Sequence, residues 1–184
     1  YLEHLGPDYI RYYFAAKLGH GLSDIDLSMD DFMQRVNSDL IGKLVNIASR
    51  TASFINKRFD NRLADTLPAP QLYQRFIDES ESIAEDFEQR RYSQAIRQIM
   101  ALADEANRYV DEHKPWLLIK QEGTAQEVHG VCTQALNLFR ILMTWLAPVI
   151  PFTAAKAGEF LQTPLDEWSS IREPLSLIHI SEPT

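Results

Sequence analysis

Lys43, Asn46, Arg50, Ser53 and Lys57 recur at alternating spacings of three and four residues. At about 100° per residue on a helix, these five fall within an arc of roughly 80°. The intervening positions, Leu40, Ile41, Leu44, Val45, Ile47, Ala48, Phe54 and Ile55, are apolar. A polar stripe of this kind is ordinarily the solvated side of a packed helix. Its residue types also permit recognition: an Asn amide offers two donors and an acceptor to a base edge, and a guanidinium offers a planar fork to bases or phosphates. Further along, Lys114-Pro115-Trp116 sets a proline and a tryptophan where a long amphipathic helix should stop. Proline cannot continue the helical ladder, because it lacks the N–H and its ring meets the preceding turn. The indole beyond it either fills a core or presents a flat face that can stack on a nucleobase. Together, stripe and indole would read unpaired bases, which are recognised by hydrogen bonding plus aromatic stacking. Alone, each has a plain structural explanation.

Other chemistry finds little support. There is no Glu-x-x-His pair for a di-metal bundle and only one cysteine, so no metal-ligand set emerges. His4 and His20 read as surface residues, and His113 and His129 lack spaced partners. No Gly-rich phosphate loop and no Ser/His/Asp set occurs, and no catalytic residue is assigned. The acid pairs Asp30-Asp31 and Asp78-Glu79 suit helix N-terminal turns, where carboxylates complement the dipole. Asp111-Glu112 reads as solvated charge near a helix end.

The 184 residues, 45% apolar and 24% charged, suffice for one sizeable core. Cys132 is the sole cysteine, so no internal disulfide can form and a reducing compartment is expected. With no run of 18 apolar residues and no signal-peptide layout, the expectation is a soluble cytoplasmic protein without a membrane partner. A net charge of −8 argues against indiscriminate nucleic-acid binding, DNA included, while leaving room for a local patch. The chain opens on Tyr1 inside a patterned segment, as if cut from something longer. Residues 175–184 (LSLIHISEPT) resemble a translated sequencing adapter and are set aside as a non-native tail.

Glycines number only seven, and long stretches lack breakers, which favours helices. A first helix is expected over 7–18, closed by Gly19-His20-Gly21, then an extended link over 24–27. Ser28 with Asp31 three residues on resembles an N-cap pair opening a helix over 28–59. A turn-rich stretch over 60–70 precedes helices over 71–89, 92–112, 124–146 and 152–161. In the second of these helices Ile96, Ile99, Met100 and Ala103 share an inward face. The reading is an all-α, antiparallel helical bundle of four main helices with an N-terminal helical appendage.

The strings Asp8-Tyr-Ile-Arg-Tyr-Tyr13, Asp24-Ile-Asp-Leu27, Asn46-Ile-Ala-Ser-Arg50, Phe54-Ile-Asn-Lys-Arg-Phe59, Asn107-Arg-Tyr-Val-Asp111 and Lys114-Pro115-Trp116 resemble the bacterial methionyl-tRNA synthetase family in order and spacing. The resemblance implies that residues 1–28 end a stem-contact region and 29–174 form the anticodon-binding bundle. It implies that Asn46 and Arg50 read the anticodon and that Pro115 and Trp116 supply the stacking surface for its first base. Lys43 and Lys57 are candidates for supporting phosphate or loop contacts. Where some members carry a further Asn, this chain has Gly42.

The implied partner is methionine tRNA with a CAU anticodon. The implied parent attaches methionine to that tRNA using ATP and magnesium, with zinc in some members, and many bacterial members dimerise through a C-terminal module. The His-Ile-Gly-His-like and Lys-Met-Ser-Lys-Ser-like signatures are absent from this sequence, so the chain itself is expected to be non-catalytic and without cofactor. Two alternatives stay open at this stage: a protein-interaction bundle that has lost tRNA binding, which the acidic balance favours, and the related isoleucine or valine enzymes.

Overall fold

The computed structural model describes residues 6–18, 28–175 and 180. The expected close of the first helix at Gly19-His20-Gly21, the link over 24–27, and His4 lie outside the described residues, as does most of the segment after 175. The architecture is all-helical: α1 (Gly6–Lys17), α2 (Met29–Arg35), a π-helical segment (Val36–Val45), α3 (Asn46–Arg58), α4 (Pro70–Asp78), α5 (Ser80–Glu88), α6 (Tyr92–His113), α7 (Pro115–Leu118), α8 (Ala125–Leu146), α9 (Pro151–Leu161), and a 3₁₀ turn at Trp168–Arg172.

The spine is α8. Every residue from Val131 to Leu146 is buried, as expected of a helix that is apolar on all sides. It packs against α3, α6, α4 and α9. Four of its buried polar side chains fasten irregular backbone. Thr133 Oγ1 accepts from the Ala64 amide at 2.9 Å and Gln134 Oε1 from the Ala69 amide at 3.1 Å, which pins the turn-rich stretch. Asn137 donates to the Leu175 carbonyl at 2.9 Å and accepts from the Leu175 amide at 2.6 Å. Buried Arg140 donates to the carbonyls of Glu173 and Ser170. Buried donors and acceptors left unmade would cost about 1–3 kcal/mol each, so these bonds hold the C-terminal segment against the bundle. Leu175 and Ile180 are both buried, so packing reaches into the segment set aside as a tail.

The string Asp8 to Tyr13 docks α1. Asp8, fully buried, accepts from the Thr153 amide at 2.6 Å and from its hydroxyl at 2.7 Å. It caps the first turn of α9 from another helix, where the α9 N-cap residue Ile150 has no polar side chain. Arg11 donates to the carbonyls of Val149 and Pro148 at 3.0 and 3.1 Å, and the hydroxyls of Tyr12 and Tyr13 donate to Asp39 and Asp31 at 2.6 and 2.9 Å.

Three sequence expectations need correcting. The helix over 28–59 is continuous but π-wound through its middle. The Ser28 cap is present, accepting from the Asp31 amide at 3.4 Å. The helix expected over 71–89 breaks at Glu79, where the backbone tightens into an Ile83-to-Glu79 and Glu79-to-Phe76 turn. Beside that break, Glu79 accepts from Gln98 at 2.8 Å, and Ser80 Oγ accepts from the Trp145 indole at 3.1 Å. Finally, α6 ends at Lys114 in the left-handed conformation (φ 45°), and Pro115 opens α7 instead of merely ending α6. Proline disfavours helical geometry in the residue before it, and its fixed φ suits a first helical position.

Candidate nucleic-acid interface

The polar stripe faces α6. Lys43 Nζ pairs with Asp104 at 3.1 Å, Asn46 Nδ2 donates to Asn107 Oδ1 at 3.4 Å, and Arg50 Nη1 pairs with Asp111. Each pair is separated by 61 residues, so the two helices run in the same direction along this seam and keep register over two turns. Arg50 Nη2 also donates to Asn107 Oδ1 at 2.8 Å. Asn107 completes the lattice by donating to the carbonyls of Lys43 at 3.0 Å and Ala103 at 3.1 Å. All four hydrogen-bonding capacities of this amide are therefore in use.

The Asn107 and Asp111 contacts were not anticipated. Asp111, expected as solvated charge, is an ion-pair partner of Arg50, because α6 presents it one turn beyond Asn107. The signal was available in the spacing: Asp104, Asn107 and Asp111 repeat the interval of Lys43, Asn46 and Arg50 with complementary chemistry.

The π-wound segment ends at Val45, immediately before Asn46. A π turn inserts extra residues per turn and resets helical phase, and such insertions recur at functional sites. Gly42 lies inside this segment, exposed, and a Cβ there would stand 3.2 Å from the Asn37 carbonyl oxygen. A side chain here would require that oxygen to give by a few tenths of an ångström.

Trp116 sits on α7, half-buried against the core. The Arg50 guanidinium lies over its ring, 5.6 Å from the centroid. Thus three expected residues, Asn46, Arg50 and Trp116, are brought to one place. Pro115, the first residue of α7, is buried beside Trp116. Lys43 edges the site through its pair with Asp104. Lys57, almost two turns beyond Arg50, is exposed and takes no part in the lattice.

The carboxylates of Asp104 and Asp111 balance the cations, so the face is a neutralised patch on an acidic protein. An incoming anion must exchange these pairs for its own. Both carboxylates are well exposed, and exposed pairs are worth only about 0–1 kcal/mol, so the exchange is cheap. Among the described residues, no group of three or more His, Cys, Asp or Glu side chains is placed to hold a metal ion, and no helix is long and apolar enough to cross a membrane.

Residues 64–181 match the family model described as the anticodon-binding domain of methionyl-tRNA ligase, and residues 1–52 match that of class I (M) tRNA synthetases. Among solved structures, the free state of Mycobacterium tuberculosis methionyl-tRNA synthetase superposes with a TM-score of 0.89 at 24% identity, over 100% of this chain and 39% of that one. The same enzyme in complex with methionyl-adenylate gives a TM-score of 0.85 at 25% identity, over 100% and 38%. The chain thus spans less than two fifths of the length of these relatives.

Proposed function

Because this chain belongs to the methionyl-tRNA ligase family through its anticodon-binding domain, we propose that the face formed by Asn46, Arg50 and Trp116 reads the CAU anticodon of methionine tRNA. One observation carries the reading: a guanidinium on α3 lies against an indole on α7, with an amide one helical turn away on the same helix. Forked donors beside a flat ring suit splayed, unpaired bases. Trp116 stacks on the cytosine, Asn46 and Arg50 hydrogen-bond to the loop, and Lys43 and Lys57 approach its phosphates.

The parent in this reading is a bacterial, cytoplasmic ligase that joins methionine to its tRNA with ATP and magnesium, dimerising through a module beyond this chain. Residues 1–28 close its stem-contact region and 29–174 form the anticodon-binding unit. The two ATP-binding signatures are not in this sequence, so the task of these residues is recognition, with catalysis placed elsewhere in the parent.

A gel-shift comparison of methionine tRNA with a tRNA of different anticodon, at one stated salt concentration, tests the proposal. Tighter binding of the cognate tRNA is expected; equal binding of the two overturns it.

A further inference from the structure

We propose that Asn107 is the positioning residue of this face: its amide, pinned by backbone carbonyls from both helices, fixes the plane in which Arg50 meets the RNA. The inference rests on the anticodon reading above.

Both hydrogens of Asn107 Nδ2 are used, one on the Lys43 carbonyl at 3.0 Å and one on the Ala103 carbonyl at 3.1 Å. A flipped amide would set its oxygen against two carbonyl oxygens, so only one orientation is permitted. Oδ1 is thereby aimed at the reading residues, accepting from Arg50 Nη2 at 2.8 Å and from Asn46 Nδ2 at 3.4 Å.

The rest of the Arg50 guanidinium is held less firmly. Its Nη1 pairs with Asp111, its Nη2 also reaches the Asn107 carbonyl at 3.5 Å, and its Nε is buried without a partner among the described residues. The Asp111 side chain is 60% exposed, and a carboxylate that open to water holds a guanidinium loosely. Asn107 is half-buried and cannot rotate without losing two bonds. The fixed partner therefore orients the fork, and the mobile one balances its charge. A generic helix-to-helix contact at this position would need only one of these four bonds. Asn107 joins the two reading residues to each other and to the backbone of both helices.

The test uses the 184-residue chain with two RNA probes, an anticodon stem-loop bearing CAU and one with an altered anticodon. The variants are Asn107→Ala, Arg50→Gln and their combination. Asn137→Ala also deletes a bridging amide but lies away from the face, so it serves as control. Asn107→Ala should weaken CAU binding about tenfold and narrow discrimination as Arg50→Gln does. The double variant should bind no more weakly than Arg50→Gln alone, since a residue acting through Arg50 has nothing left to orient.

The control should lower the unfolding midpoint and keep both affinities. Asn107→Asp, isosteric but with acceptors facing two carbonyls, should show the same loss of discrimination and guards against misfolding of the alanine variant. Losses that multiply in the double variant, or native discrimination in either Asn107 variant, overturn the proposal. If Arg50→Gln itself leaves binding unchanged, the anticodon reading falls and takes this inference with it. If Arg50→Gln weakens binding while Asn107→Ala does not, this inference alone fails.

Discussion

The Arg50 guanidinium covers the Trp116 indole at 5.6 Å from the ring centroid, coupling the α3 stripe to the turn that follows α6. A cation–π contact is worth about 0.5–1 kcal/mol at an exposed site and about 2 kcal/mol when desolvated, and this one is half-buried. Stacking of a base on an aromatic ring is worth about 1–3 kcal/mol. In the proposed reading a base competes with the guanidinium for the ring, and the guanidinium it displaces becomes a donor for the loop. The contact then serves as a resting arrangement that holds both groups near their working positions.

Trp116→Ala is expected to weaken binding of methionine tRNA by about ten- to a hundredfold, the range that one lost stacking contact implies. Because the ring is half-buried, part of any loss could arise from packing. Trp116→Phe separates the two, since it keeps an aromatic face with less volume and should retain most of the affinity. Unchanged affinity for Trp116→Ala, with the helical circular dichroism intact, would remove Trp116 from the site.

Arg50→Gln is expected to reduce discrimination between CAU and altered anticodons more than it reduces overall affinity. The glutamine keeps an amide donor but loses the planar fork and the charge that Asp111 balances. A competition assay with both RNAs measures the ratio directly, and a native ratio would exclude Arg50 from base reading.

Much of this arrangement was legible in the sequence because local rules governed it. The α6 inward face of Ile96, Ile99, Met100 and Ala103 follows from helical period alone, and all four are buried. The polar stripe follows from spacing, and its convergence with Trp116 is what the structure adds. What escaped depended on pairing between distant elements. The interval shared by residues 43–50 and 104–111 hints at a seam, but only the 61-residue register between the two helices says that Asp111 meets Arg50. The π winding of Val36–Val45 also escaped, because its composition is that of any good helix. The polar members of the Asp8–Tyr13 string were readable as a motif, yet their partners Thr153, Pro148, Val149, Asp39 and Asp31 come from three other parts of the chain.

Asp8→Ala is expected to destabilise the fold by about 1–3 kcal/mol. It removes an acceptor shared by the amide and hydroxyl of Thr153, leaving the first turn of α9 without its borrowed cap. Urea unfolding gives the loss. Thr153→Val, which deletes only the hydroxyl bond, should cost less than Asp8→Ala; the reverse order would show that the cap is not the source.

Stability should fall steeply on the alkaline side. Burial pushes the Cys132 thiol up to about 12, and burial likewise raises Tyr73 and Tyr109 to about 12. In the unfolded chain a thiol ionises near 8.5 and a phenol near 10. Between those values and about 12 the unfolded state has shed protons that the folded state still holds, so rising pH favours unfolding. Below about 8.5 these groups are protonated in both states and their contribution is fully present. From Cys132 the slope reaches at most about 1.4 kcal/mol per pH unit, and the tyrosines add in the same direction above pH ~10. Urea midpoints measured at intervals from pH 8 to 11 (about one unit above the unperturbed phenol value) should be flat at first and then decline. Tyr109→Phe deletes one raised group whose hydroxyl is buried without a partner among the described residues, so it should soften the decline above pH ~10. A midpoint that stays level to pH ~11 would mean that these side chains ionise as easily in the fold as outside it.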